Sequence, residues 1–210
     1  MRQRQTMNRK TGRIYLGCLL AGIVLLMLST LSRADKQLWI QDPWTSNSIL
    51  TSVRDPDTSL WNAAQIDRYE ESLKVDTAPP LGILTIDKLN IQVPIYNGTD
   101  KFILNRGAGR IKGMAKMNEE ANLGISAHRD GYFRGLKDIQ VGDDIEIQTT
   151  RGVEIYAVTA INIVPKSDVS VLNPKTEKTL TLVTCYPFYF VGNAPKRYIV
   201  TAIPKSPGYE

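Results

Sequence analysis

Beyond Leu81 the hydrophobic positions come in short runs broken by glycine, proline and charged residues, which is the spacing of strands rather than of helices. Gly82–Ile86 and Ile91–Ile95 read as a strand pair joined across Asp87–Asn90; Leu123–Ala127, Asp144–Thr149, Val153–Val164, Thr179–Cys185 and Arg197–Ile203 follow. Arg151-Gly152 fits a tight turn between two of them, and Phe102-Ile103-Leu104 a short helical turn. Seven or eight strands in roughly 125 residues, with few helices, predict an all-β fold, a small closed barrel. The run Thr179–Cys185 organises the rest: six β-favouring residues lead to a cysteine, and Pro187 stops the run two positions later. Alternation sets Leu180 and Leu182 on one face and Val183 and Cys185 on the other, so a thiol stands at a strand end opposite the core.

Ahead of the barrel the pattern changes twice. Ile14–Leu31 is an uncharged, mostly apolar run of 18 residues, about 27 Å as a helix, enough to cross most of a hydrocarbon core of about 30 Å. Arg2, Arg4, Arg9, Lys10 and Arg13 precede it with no acid among them, which predicts a cytoplasmic N-terminus and an extracytoplasmic remainder. Ser32-Arg33-Ala34 loosely resembles a signal-peptidase site. However, the run is longer than a signal peptide's apolar core and an arginine sits inside the site, so a retained anchor is expected. Residues 32–56 read as a polar tether. Asp57, Thr58 and Ser59 are candidate caps for an amphipathic helix to about Lys74, with Leu60, Trp61, Ala64, Ile66, Tyr69 and Leu73 as its apolar stripe. Pro79-Pro80 closes the segment. The organisation expected is a basic tail 1–13, an anchor 14–31, a tether and helix 32–79, and the barrel 80–205.

Charge changes the picture only by its location. The formal charge is +5, from 26 basic and 21 acidic residues. Five of the basic residues lie in the N-terminal tail, which leaves residues 14–210 balanced and gives no reason to expect nucleic-acid binding. There is no internal repeat, phosphate-binding loop, dinucleotide fingerprint or cluster of metal ligands.

The two cysteines, Cys18 in the apolar run and Cys185, are not expected to meet, so the external domain carries a single free thiol. The one histidine, His128, follows the apolar run 123–127 at the entry to a glycine-bearing loop. Either residue alone has an ordinary reading, a buried small hydrophobe or an exposed loop histidine. Both at strand ends point to a Cys/His pair, in which imidazolium stabilises the thiolate nucleophile. Attack on a carbonyl builds an oxyanion that needs preorganised donors, a task suited to a guanidinium fork. Arg197, twelve residues after Cys185, would reach it through a hairpin; Arg129 and Arg134, beside His128, are rival candidates that these spacings leave unranked.

Thr-Leu-Val-Thr-Cys at 181–185, preceded by Ile-Ser-Ala-His-Arg-Asp at 125–130 and followed by Arg197, resembles the sortase family of membrane-anchored cysteine transpeptidases, most of all its class D branch and the similar sortases of Gram-negative bacteria. The resemblance spans residues 80–203 and implies the eight-stranded sortase barrel. It also implies Cys185 as nucleophile, His128 as acid/base partner, Arg197 as oxyanion or substrate stabiliser and Thr184 as a residue shaping the oxyanion site. Ala127 stands where many relatives have glycine, and Gly131 where class D commonly has threonine. The implied reaction cleaves an LPxTG-like C-terminal sorting signal on a secreted protein and passes the acyl group to an amine acceptor of the envelope. Alternatives from the same residues are a cysteine endopeptidase with water as acceptor and, from another class, a non-catalytic anchored docking barrel. No cofactor is expected. Some sortases respond to calcium, but the loop 166–178 offers only Asp168 and Glu177, too few carboxylates for a site.

Overall fold

The structure is a computed structural model that describes residues 61–189 and 192–205, with Pro56, Thr58 and Ser59. The basic tail, the apolar run 14–31 and nearly all of the tether lie outside the described residues. Among the described residues no helix is long and apolar enough to cross a membrane.

The strands are β1 (Gly82–Ile86), β2 (Ile91–Asn97), β3 (Ala108–Arg110), β4 (Asn122–Ser126), β5 (Asp144–Thr149), β6 (Gly152–Pro165), β7 (Thr179–Tyr186) and β8 (Lys196–Pro204). They close into a barrel in the order β1-β2-β3-β4-β7-β8-β6-β5. Two neighbours, β2/β3 and β4/β7, run parallel, and the other pairs are antiparallel. Parallel neighbours cannot be joined by a hairpin. The short helix α2 (Lys101–Arg106) lies in the β2–β3 connection, and the β5–β6 hairpin lies between β4 and β7 in sequence. Closure turns one face of each strand inward: Leu84, Ile86, Val93, Ile95, Ile125, Ile145, Leu180, Leu182 and Val200 fill the barrel and are buried.

Seven of the strands stand where the alternation predicts them. The eighth, β3, was not anticipated, because Ala-Gly-Arg has neither β-branched residues nor alternation. Its place is set by close backbone approach: a Cβ on Gly109 would come within 2.0 Å of the Gly98 carbonyl oxygen, so only glycine fits beside that turn.

The predicted helix is present but starts later, and its covered side overlaps the predicted stripe only in part. Helix α1 spans Ala63–Leu73 and is capped by Asn62, not by the Asp57–Ser59 cluster. Asn62 Oδ1 accepts from Gln65 N and Gln65 Oε1 accepts from Asn62 N, each at 2.9 Å, a reciprocal box that satisfies two free amides of the first turn. Ala64 and Leu73 are exposed; Trp61, Gln65, Ile66, Tyr69 and Ser72 form the covered side. A polar Gln65 belongs to that side because it faces a loop carbonyl, described below.

Candidate active site

Strand β7 delivers Cys185. Leu180 and Leu182 point into the core, Thr184 continues that face, and Cys185 on the other face is half-buried and free. The parallel β4–β7 ladder pairs Asn122 with Thr179 and Ser126 with Val183, and Ala127 N still donates to Val183 O at 3.4 Å. His128 comes two residues after Ser126 and Cys185 two residues after Val183, so both follow the same end of this ladder. On the other edge β8 is antiparallel, and Arg197 pairs directly with Cys185. The three side chains therefore leave adjacent strand ends, about 4.8 Å apart from strand to strand.

Cys185, His128 and Arg197 line one cleft of about 310 Å³, together with Arg129, Asp130 and Lys166. Of the three arginines that the sequence leaves open, Arg197 and Arg129 border this cleft and Arg134 does not. Arg197 Nη1 donates to the carbonyls of Ala194 and Lys196 at 3.2 and 3.0 Å, which holds the guanidinium along the β7–β8 loop. Arg129 is buried and its Nη2 donates to Gly192 O at 3.1 Å, tying the histidine loop to the β7–β8 loop across the cleft. Thr184 is buried, and its Oγ1 donates to Ala127 O at 2.8 Å. That bond fastens β7 to β4 one residue before both Cys185 and His128, and it commits the hydroxyl proton to the strand partner.

The loop carrying His128 is held from three sides. The His128 carbonyl accepts from Gly131 N and Phe133 N at 3.2 and 3.1 Å, and Phe133 and Leu136 anchor the far end in the core. Gln65 Nε2 of α1 donates to Asp130 O at 3.1 Å. Trp61 meets Tyr132 edge to face at 5.9 Å, and Tyr132 Oη donates to Arg106 O at 3.0 Å. Of these two supports at α1, Trp61 belongs to the predicted apolar stripe, whereas Gln65 was not anticipated; its local signal is the capping pattern Asn62-x-x-Gln65.

His128 keeps an exposed side, yet the protein around it displaces enough water to lower its pKa below the ordinary value. The Asp130 carboxylate opposes that shift, and the guanidinium groups of Arg68 and Arg129 add to it. With an ordinary imidazole value near 6.5, a lowered one leaves the ring predominantly neutral at pH 7.

A closed barrel with a thiol, an imidazole and a guanidinium in one cleft is the arrangement of a thiol-dependent acyl-transfer enzyme. The comparisons agree. Residues 84–205 match the family model of the sortase domain. The chain is 38% identical over 140 residues to Sortase D of Bacillus subtilis (strain 168), an alignment covering 66% of this chain and 71% of that one. Among solved structures it is similar to a Clostridium perfringens Sortase D5 transpeptidase, with TM-score 0.57 and 27% identity over 71% of this chain and 93% of that one. It is also similar to Sortase A from Corynebacterium diphtheriae, with TM-score 0.58 and 27% identity over 72% and 73% of the two chains. The chain belongs to the sortase family of cysteine transpeptidases, on its class D branch.

Proposed function

We propose that this sortase is a single-pass membrane protein, N-terminus inside, which cleaves an LPxTG-like signal at the C-terminus of a secreted protein and transfers the acyl group to an amine acceptor of the cell envelope. The observation that carries the reading is the register around β7, which aligns Cys185 with Arg197 and has His128 follow the same end of the β4–β7 ladder as Cys185. The apolar run 14–31 with its basic flank supports the anchor.

In the first half-reaction the Cys185 thiolate attacks the scissile carbonyl. Arg197 stabilises the oxyanion as the C–N bond breaks, and His128 gives its proton to the departing amine, leaving a thioester. In the second, a neutral amine attacks the thioester, its proton passes to His128, and the thiolate leaves. Thr184 acts through its bond to Ala127, by keeping the two strand ends level. Because burial lowers the His128 pKa, the imidazolium needed for the first half-reaction is the minor form at neutral pH, and acylation gains proton-donor population as pH falls toward that value.

The test is mass spectrometry of the full chain in detergent with an LPxTG-type peptide, with and without an added amine. A thioester on Cys185 and an amine-dependent product are expected. Free acid as the sole product, whatever amine is added, would make the protein a hydrolase. Turnover surviving in Cys185→Ala would sink the mechanism.

A further inference from the structure

A second cleft, of about 450 Å³, shares His128 and Asp130 with the thiol cleft but has neither Cys185 nor Arg197 among its walls. It lies between α1, α2 and the histidine loop, and its walls divide by chemistry. Trp61, Leu104 and Tyr132 supply apolar surface, stiffened by the edge-to-face contact of the two rings at 5.9 Å. Arg68 and Lys101 supply two positive charges and Asp130 one negative. Among the described residues neither cation is in an ion pair; Lys101 Nζ rests over the Phe102 ring at 4.7 Å. With His128 mainly neutral, the cleft is net positive.

We propose that this cleft is the subsite of the incoming acceptor, and that the acceptor is a primary amine on a methylene stem whose other end carries a carboxylate. The inference rests on the transfer reading above. One imidazole must protonate the leaving amine and then deprotonate the incoming one, so both nitrogens pass the same ring by reversal of a single path. While the acyl chain occupies the thiol cleft, the second cleft still offers a pocket that borders His128. A plain alkylammonium entering it meets two cations against one carboxylate. A zwitterionic acceptor meets Asp130 with its amine end and Arg68 and Lys101 with its carboxylate, and lays its stem on Trp61, Leu104 and Tyr132. For the transfer step the bound ammonium first gives one proton to solvent; the neutral amine then attacks, the C–N bond forms as the C–S bond breaks, the second amine proton moves to His128, and Cys185 returns as thiolate.

The experiment offers the full chain in detergent an LPxTG-type donor peptide with an amidated C-terminus and two competing acceptors, Nα-acetyl-lysine and Nα-acetyl-lysinamide. These present the same reacting side-chain amine and differ in the carboxylate. Mass spectrometry reads the ratio of the two products, an internal comparison in which any loss of folded enzyme cancels. We expect the carboxylate-bearing acceptor to win by about tenfold, the scale of charge-assisted contacts, and the ratio to fall to near unity in Arg68→Gln/Lys101→Gln. Parity in the wild type, or a preference that survives in the double variant, overturns the inference while leaving the transfer reading intact. A binding arm separates the two readings when no acyl-enzyme forms. In the full chain carrying Cys185→Ala, saturating Nα-acetyl-lysine should move the ring resonances of His128, the one histidine, and Nα-acetyl-lysinamide should not. Failure of that response overturns the subsite whichever donor motif is correct.

Discussion

Thr184 offers the sharpest test of how the site is held. Thr184→Val keeps shape and volume but removes the hydroxyl that donates to Ala127 O at 2.8 Å. Both residues are buried, at 2% and 4% exposure, so water cannot replace the lost donor without opening the barrel end. Leaving a buried acceptor unmatched costs about 1–3 kcal/mol. In a chain of this size each kcal/mol lowers the melting temperature by about 2–4 °C. A near-isosteric change opens no cavity, so the loss reports the hydrogen bond rather than packing. The bond spans β4 and β7 just before His128 and Cys185, so its loss should also slow thioester formation, because the thiol and imidazole no longer hold a common level. Thermal unfolding followed by near-ultraviolet circular dichroism gives the first quantity, and the rate of leaving-peptide release the second. Thr184→Ser keeps the oxygen, deletes a methyl group, and should recover most of the activity. Abolished acylation in Thr184→Val with an unchanged melting temperature would instead mean that the hydroxyl serves the substrate and not the strand pairing.

The remaining expectations concern charge, the arginine fork and backbone space. Asp130→Asn should lower the His128 pKa further, since it removes the charge favouring imidazolium, and Arg68→Gln should raise it, since it removes one disfavouring it; NMR titration of the single ring reads both signs. Arg197→Ala should cut acylation by about 10²–10³-fold, the usual loss for one oxyanion donor, and Arg197→Lys should not restore it because a point charge lacks the fork. Alkylation of Cys185 by iodoacetamide, which builds no oxyanion, should be little affected by either variant. Gly109→Ala sets a Cβ 2.0 Å from the Gly98 carbonyl oxygen and should cost about 1–3 kcal/mol or more, read by denaturant unfolding.

Much of the site was legible from local pattern. Period-two alternation in 179–185 decides which face Cys185 takes, proline marks where its strand must end, and the single histidine and single external thiol limit the chemistry before any contact is known. The expectation that a hairpin would carry Arg197 back to Cys185 also rests on local information, twelve residues of separation and two strand-like runs, and the two residues are ladder partners. The apolar stripe of α1 was legible only in part, because Gln65 earns its covered place from a carbonyl 65 residues away.

Alternation states which side of a strand is buried and nothing about which strand lies next to it. The parallel pairing of β4 with β7 joins residues 57 positions apart, Ser126 with Val183, and no local propensity encodes that offset; it follows from closing the whole barrel. The same closure recruited the unpatterned Ala108–Arg110 as β3, chose Arg197 and Arg129 over Arg134 as cleft residues, and brought α1 against the histidine loop. The residue types that could carry the chemistry were thus determined along the chain, while the meeting of thiol, imidazole and guanidinium in one cleft was decided by tertiary structure, because long-range strand pairing is a property of the closed sheet and not of any segment within it.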